Sequence, residues 1–502
     1  MALRGEIADC FRVIDSIRPD GVDPLAPDKV PAESRMEVDF SFLLGSNRVC
    51  MKREKRMRRA AARTISILIL MSVAGLSTPG SPEKPSAVTP ADSFAVVQDL
   101  VVIDVSQRSR LREAGLPVIW KGAAFFLAEW DAGQKGLAHD SGIPFETLAR
   151  DLEPGRALHL FELPDDTPAP EAWRDRILLE RGRRIVVAME SAEAESWTGQ
   201  GYSPVRLDRR PRDWAPLTPR LAYDCSYDPL VQRLLDQTSE VRWVDWIEKL
   251  SGVEPVTVAG ETEAIATRYS VTMFQGASWA RGYDFALQQC QSWGYAPGYL
   301  EEHAYTGSGS DTWKNLVLTI PGQTFSDQIV MLTAHLDSTS PTPATVAPGA
   351  NDNGTGNAML FEAARLLRQM RFQRTIKIVW FTGEEQGLYG SEAYVADYPT
   401  TNIAGVVNLD MFGWDGDGDR CFEIHAGSLT DSIDVGTCFR NSLDSYALGL
   451  SHDFLTIGAT DRSDHASFWQ VDVGAIEIAE NFFDNGLPDG CVGQDANPGY
   501  HT

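Results

Sequence analysis

The sequence predicts an α/β fold, a mostly parallel mixed sheet covered by helices on both faces, preceded by a small β-rich N-terminal domain. Three observations carry this. From about residue 221, short apolar runs alternate with segments of helical periodicity. The runs are nearly continuous in apolar residues, which suits strands buried on both faces. Residues 94–212 instead show short β-like runs in succession, with little helical pattern between them.

The first eighty residues are read as a leader. Met51 opens "MKREKRMRRAAARTISILILMSVAGLS", a basic head, then an apolar run from Ile65 to Leu76 and small residues. This is the layout of a secretory signal peptide, and the run is short for a membrane span. Translation is expected to start at Met51, with 1–50 a gene-start artefact, 51–80 the signal and the Pro/Ser-rich 81–93 a linker. The mature protein is then secreted or periplasmic, with no stable membrane insertion. A net charge of -25 argues against nucleic acid or anionic membrane as partner. Oligomeric state is not legible.

Seven cysteines form no CxxC or Cys/His zinc pattern. Export permits one or two disulfides, with Cys421–Cys438 a candidate pair. The N-terminal domain is expected from "FAVVQDLVVIDV", "PVIWKGAAFFLAEW", "ALHLFEL" and "RRIVVAME", ending near a Pro/Arg-rich segment at 209–220. Its His139 and His159 suggest no chemistry. A pro-domain, a chaperone-like module and a substrate-docking domain all remain open.

In the second half, "DPLVQRLLDQ", "VRWVDWIEKLSG" and "WARGYDFALQQCQSWGY" predict helices. They are followed by a strand "QIVMLTAH", a helix "GNAMLFEAARLLRQM", a strand "TIKIVWFTG", a helix "SEAYVADY", and strands "IAGVVNLDM" and "VGAIEIAE". Met359, Ala363, Leu366 and Met370 form an apolar stripe on the first helix of this alternating series, "GNAMLFEAARLLRQM".

Open α/β sheets collect ligands at the carboxyl ends of their strands. Here those ends carry His335 with Asp337 two residues on, then Glu384 and Glu385, then Asp410, while "APGANDNGTG" places Asp352 at the lip of a helix. One glutamate at a helix start suits the helix dipole; two adjacent ones beside a histidine and other carboxylates ask for more. Such a cluster repels itself unless it protonates or binds cations. Imidazole with carboxylates suits zinc, and two metals about 3.5–4 Å apart would share one bridging carboxylate.

The motifs "AHLDS" (334–338), "APGANDNGTG" (347–356), "TGEEQGLYGS" (382–391), "NLDMFG" (408–413), "SDHASF" (463–468) and "NPGYHT" (497–502) resemble the M28 zinc aminopeptidases, the secreted bacterial leucyl type in particular. The resemblance covers 221–502 and implies a zinc-exopeptidase fold acting on peptide or protein N-termini, with a preference for apolar first residues. It implies two zinc ions, with His335 and Asp410 on one, Glu385 and His501 on the other, and Asp352 bridging. Glu384 is then the general base, and Asp337 orients the imidazole of His335. On sequence alone His465 competes with His501; the family pattern assigns the ligand to His501 and leaves His465 in the site wall. Tyr389, Met411, Phe412 and Phe468 are candidates to line a substrate pocket with it. Members of the family continue beyond the "YHT" element, so the chain, ending at Thr502, is expected to be truncated. It also lacks the two cysteines many close relatives place before "SDH".

The same fold also carries other functions. Glutaminyl-cyclase-like enzymes use one zinc and usually lose the "HLDS" and paired-glutamate context. A carboxypeptidase wants a basic clamp, and Arg462 is the one basic residue in the motifs. A non-catalytic ectodomain would lose a ligand or the base, and all six positions are filled. "DGDGDR" (415–420) imitates half a calcium loop but lacks its closing Glu, and is read as a solvated turn. His425 and His452 are read as surface or core residues, and His303 has no evident partner.

Overall fold

The computed structural model describes residues 98–501, apart from 123, 153–155, 164–166, 198–201, 213, 215–224, 276–279, 309–310, 369, 483–489 and 492. The expected gene-start extension, signal and linker lie outside the described residues.

Residues 98–212 build two antiparallel four-stranded sheets. The first contains β1 (Asp99–Asp104), β2 (Trp120–Lys121), β3 (Phe125–Trp130) and β4 (Glu146–Ala149), in the order β2-β3-β1-β4. The second contains β5 (Leu158–Glu162), β6 (Ile177–Arg181), β7 (Arg184–Ala188) and β8 (Ser203–Leu207), in the order β6-β7-β5-β8. Short helices α1 (Arg108–Ala114), α2 (Ala132–Asp140) and α3 (Ser191–Ser196) connect or cover them. Strand side chains alternate between faces, and here both faces are buried. In β1, Val101 and Ile103 join a local core with Leu111 and Trp130, while Leu100 and Val102 face a larger core described below.

The second half opens with helices α4 (Pro229–Leu235) and α5 (Glu240–Leu250), the hairpin β9 (Val256–Val258) and β10 (Glu261–Glu263), then α6 (Ser270–Met273) and α7 (Arg281–Ser292). An eight-stranded sheet follows: β11 (Leu300–Thr306), β12 (Thr312–Ile320), β13 (Phe325–His335), β14 (Arg374–Phe381), β15 (Ile403–Leu409), β16 (Cys421–His425), β17 (Ser451–Leu455) and β18 (Ala475–Glu480). Its order is β11-β12-β14-β13-β15-β18-β16-β17. The central β14-β13-β15-β18 run is parallel; β11, β12 and β16 pair antiparallel with their inner neighbours. The helices between these strands are α8 (Gly354–Leu367), α9 (Tyr389–Asp397), α10 (Thr430–Ser445) and α11 (His465–Gln470).

Period-2 alternation divides the sheet's side chains between two cores. Leu316, Leu332, Ile378 and Trp380 join residues of α5, α7, α8 and α10 on one face. Val317, Met331, Val379 and Phe381 join Tyr394 of α9 and Phe468 and Trp469 of α11 on the other, and that cluster runs on into Leu100, Phe125, Leu160 and Val205 of the N-terminal sheets. The β-rich segment therefore shares a hydrophobic core with the second half, and the described residues fall in one compact unit. Each large side chain so buried contributes about 1.5–3 kcal/mol.

Some expectations need revision. Helix α8 is buried at every position but Arg365, because it lies between α5 and the sheet, so its apolar stripe is not its only buried face; Met370 falls beyond its end. The disulfides join Cys225 to Cys438 and Cys421 to Cys491, not Cys421 to Cys438. Both span long sequence separations that only the folded chain brings together, with Cα atoms 5.4 and 5.2 Å apart. No helix among the described residues is long and apolar enough to cross a membrane.

His159 in β5 gives the N-terminal sheets a measurable pH signature. Burial, aided by the Arg206 charge, lowers its pKa from 6.5 to about 4. The unfolded chain therefore takes up this proton first as pH falls. The stability linked to the neutral ring is complete above about pH 6.5 and is lost on the way down through pH 4, about 3 kcal/mol in full. His159→Phe is expected to flatten the decline of the urea midpoint across that window; an unchanged slope would refute the assignment.

Candidate metal centre

The carboxyl ends of three adjacent parallel strands deliver the cluster. His335 is the last residue of β13, Asp410 follows β15, and Glu384 and Glu385 sit in the loop after β14. That loop turns tightly, with Gly387 and Leu388 N–H groups donating to the Glu384 carbonyl, and α9 begins only at Tyr389. The paired glutamates are thus not a helix cap. Asp352 comes from the turn before α8, and His501 from the C-terminal segment.

Asp352 lies between the two imidazoles. Its Oδ1 is 3.1 Å from His335 Nε2 and its Oδ2 is 3.2 Å from His501 Nε2. His335 Nε2 is also 3.2 Å from Asp410 Oδ1, and His501 Nε2 is 3.2 Å from Glu385 Oε2. Two triads therefore share one carboxylate. Glu384 belongs to neither triad, its Oε2 standing 4.0 Å from His335 Nε2.

The backbone is fixed by a layer behind these groups. The Asp337 carboxylate accepts from the N–H groups of both Glu384 and Glu385, at 3.3 Å each. Its Oδ1 is 3.7 Å from His335 Nδ1, which lies nearer the Asp337 carbonyl oxygen, at 3.2 Å. Asp337 thus organises the glutamate loop as well as facing the imidazole. Asp410 Oδ2 accepts from Ser463 Oγ at 2.6 Å, Ser463 Oγ accepts from Asn408 Nδ2, and Asn408 Oδ1 accepts from Thr333 Oγ1. Asn353 caps α8 through Gly356 N–H and donates to the Leu409 carbonyl, while Asn357 donates to that of His335. The guanidinium of Arg268, wholly buried, donates to the carbonyls of Leu336, Leu250, Pro348 and Gly349. It braces the turn that carries Asp352. Tyr500 stacks on His501 with ring centroids 3.8 Å apart. Arg268 and Thr333 lie outside the motifs quoted above, whereas Asn408, Ser463 and Tyr500 lie inside them, and their place in a motif could have pointed to the site.

The residues fit divalent cations. With zinc about 2.0–2.2 Å from each ligand, tetrahedral geometry places ligand atoms about 3.3 Å apart, close to the separations above. The Oε1 of Glu385 and Nδ1 of His501 are buried without hydrogen-bond partners. Without a cation, Glu384 and His501 favour their protonated forms. Burial and then the Asp410 and Glu385 charges push Glu384 well above the ordinary carboxyl range, although His335 opposes them. Burial opposes charge on His501, yet Glu385 and Asp352 raise it to about 9. A cation between Asp352, Glu385 and His501 would displace the proton of His501.

His465 does not enter the cluster. Its Nε2 is 3.0 Å from the Thr460 carbonyl oxygen, its Nδ1 faces Glu477 at 3.2 Å, and burial lowers its pKa to about 3. Of the candidate pocket residues, Met411 lines the cavity at the cluster, together with Leu388, Arg462, Glu477 and Tyr500. The others do not line it. Phe412 turns into the core against Phe422, Phe468 packs beside Phe381, and Tyr389 lies against Trp313. His303 bridges Asp397 and Asn315; His425 is buried beside Glu423; His452 packs on Phe422. In "DGDGDR", Asp415, Asp417 and Asp419 accept from nearby backbone N–H groups as a turn does, although Asp415 is buried.

Ser463→Ala removes the bond that orients Asp410 without touching a proposed ligand. It is expected to weaken metal retention by about 10–100-fold, read as metal content after dialysis against graded chelator. Retention equal to that of the parent would show that Asp410 needs no such support.

Comparison with known proteins bears on the same segment. Residues 315–502 match the model of Peptidase family M28. Leucine aminopeptidase 1 of Trichophyton equinum is 36% identical over 184 residues, covering 33% of this chain and 47% of the relative. The corresponding protein of Trichophyton rubrum is 38% identical over 187 residues, covering 34% and 48%. The chain thus spans about half the length of the curated relatives it matches. The crystal structure of the LapA aminopeptidase of Legionella pneumophila shares the fold, at 19% identity and a TM-score of 0.50, over 69% of this chain and 91% of that one. The match to Peptidase family M28 thus falls on the segment that carries the candidate metal centre.

Proposed function

We propose that the chain is an exported aminopeptidase that holds two zinc ions and hydrolyses the N-terminal peptide bond of peptides with apolar first residues. The observation that carries this is Asp352 facing both His335 and His501, with Glu384 beside the two triads and outside them. His335, Asp352 and Asp410 would hold one ion; His501, Asp352 and Glu385 the other. Zinc bound there supplies Lewis-acid polarisation of the scissile carbonyl and acidifies the attacking water.

The remaining work falls to the chain's own groups. Glu384 takes the proton from the attacking water and passes it to the leaving amine nitrogen. Asp337 holds the Glu384 and Glu385 N–H groups, so the base and its neighbouring ligand keep a fixed separation. The carboxylates of the site attract a free α-ammonium, which favours a chain end over an internal bond. Leu388 and Met411 offer apolar contact to a first side chain, in keeping with the name leucine aminopeptidase borne by the matched relatives. Export is supported by the basic head and apolar run at 51–76 and by two disulfides, which persist in oxidising compartments.

At whatever rate the parent chain hydrolyses a leucyl-anilide, Glu384→Gln is expected to lower kcat by about 10²–10⁴-fold while retaining the metal. Chelation should abolish hydrolysis and zinc restore it. The N-acetylated substrate should resist cleavage; equal cleavage of both substrates would overturn the aminopeptidase reading.

A further inference from the structure

A second hollow lies between the N-terminal sheets and α9. Its volume is about 580 Å³, within the roughly 300–1,000 Å³ of small-molecule sites. β8 separates it from the metal centre: Pro204 and Val205 line the cavity there, whereas Arg206 to Arg210 line the hollow. At the end of the glutamate loop, likewise, Leu388 lines the one and Tyr389 the other.

Four arginines line this hollow, Arg156, Arg206, Arg209 and Arg210, against three acids, Glu129, Asp208 and Glu392. Two of the arginines are already answered. Arg209 grips Glu129 with two bonds, Nε to Oε1 at 2.5 Å and Nη2 to Oε2 at 3.1 Å. Arg210 Nη2 stands 2.7 Å from Asp208 Oδ2, which Arg212 also reaches at 3.3 Å. Burial, with the Asp208 charge, pushes the pKa of Glu392 up to about 7, although Arg212, Arg206 and Arg210 pull the other way. Its Oε1 has no hydrogen-bond partner and stays 3.9 Å from Arg212 Nη2. Near neutrality Glu392 therefore carries only part of a charge.

Arg156 and Arg206 remain. Both are exposed, and among the described residues neither forms an ion pair. The Arg206 guanidinium lies over the Tyr389 ring, 5.6 Å from its centroid, which holds it at the wall. The Arg156 backbone is held through its carbonyl, which accepts from Arg209 Nη1 at 3.0 Å. A chain of net charge -25 repels anions over most of its surface. Here two guanidiniums line a concave space with no acid paired to either. Their planar forks suit carboxylate and phosphate oxygens. Ala157, Leu207 and Ala393 add apolar wall for an organic body beside the charged group.

We propose that this hollow is a second binding site, for a small organic anion whose carboxylate or phosphate group is taken by Arg156 and Arg206. It is separate from the metal centre and independent of the chemistry proposed there.

The test is calorimetry on the full zinc-loaded chain, in low salt at about pH 8, where Glu392 is mostly ionised. The probes are inorganic phosphate, succinate and the uncharged dimethyl succinate. Phosphate or succinate is expected to bind saturably at millimolar concentration, and the diester not to bind. Arg156→Gln with Arg206→Gln should weaken that binding about tenfold or more. Arg174→Gln, at an exposed arginine paired with Glu171 outside the hollow, should leave it unchanged. Glu392→Gln should strengthen it severalfold, a gain that a damaged fold could not produce. Binding of phosphate alone, or of succinate alone, upholds the site and names the group it takes. Binding that survives in the double variant lies elsewhere and overturns the proposal. Equal loss in Arg174→Gln, or no binding of either anion, overturns it as well.

Discussion

Asp352 is the group on which the other features depend. One carboxylate touches two imidazoles, each already against a further carboxylate, in a space nearly closed to water. Removing several like charges from solvent costs far more than any one hydrogen bond returns. The surroundings offset part of that cost with fixed groups: the guanidinium of Arg268 behind the Asp352 turn, N–H groups on Asp337, and the Ser463 hydroxyl on Asp410. Arg268 itself shows the strain of the arrangement, since burial lowers its pKa to about 10 against the pull of Asp337, Asp352 and Glu385. What these groups leave unbalanced must be met by protons or by cations, and only the second choice keeps Glu384 free to accept a proton.

The parallel strands explain how so many acids arrive together. β13, β14 and β15 end side by side, so residues just beyond them share one edge. The turn into α8 reaches the same edge because Asn353 and Asn357 bond the carbonyls of Leu409 and His335. The candidate ligands are thus positioned by backbone on three elements that cannot shift independently. His501 differs, since it comes from the terminal segment and relies on the Tyr500 ring stacked against it and on the two carboxylates it faces.

This division also sets what was legible in the sequence. His335, Asp352, Glu384, Glu385 and Asp410 are chemically conspicuous at the ends of apolar runs, and the structure brings them together with His501. Thr333, Asn408 and Ser463 form one buried chain from three separate segments; the last two open quoted motifs, but nothing in the sequence shows that the three side chains bond one another. No periodicity marks such a chain. The pocket residues misled for a related reason: nearness to a motif does not fix where a side chain points. Met411 faces the cavity, while Phe412 beside it points into the core. β16 and β17 are not legible as buried strands because their polar residues, Glu423, His425 and Asp453, are buried only through tertiary partners. The disulfides joined partners that only the fold brings near.

The loop 382–388 now has two sides. One presents Glu384 and Glu385 to the cavity; the other bears the backbone of β8 at Gly387. A side chain at Gly387 would relieve that approach only by forcing β8 or the loop to move, and Gly387 itself sits at φ 115°, where other residues are strained. The same glycine therefore permits both the turn that places the glutamates and the close approach of β8. The contact with β8 and the placing of the two glutamates share one short loop, so a change that loosened β8 there would disturb the acids as well.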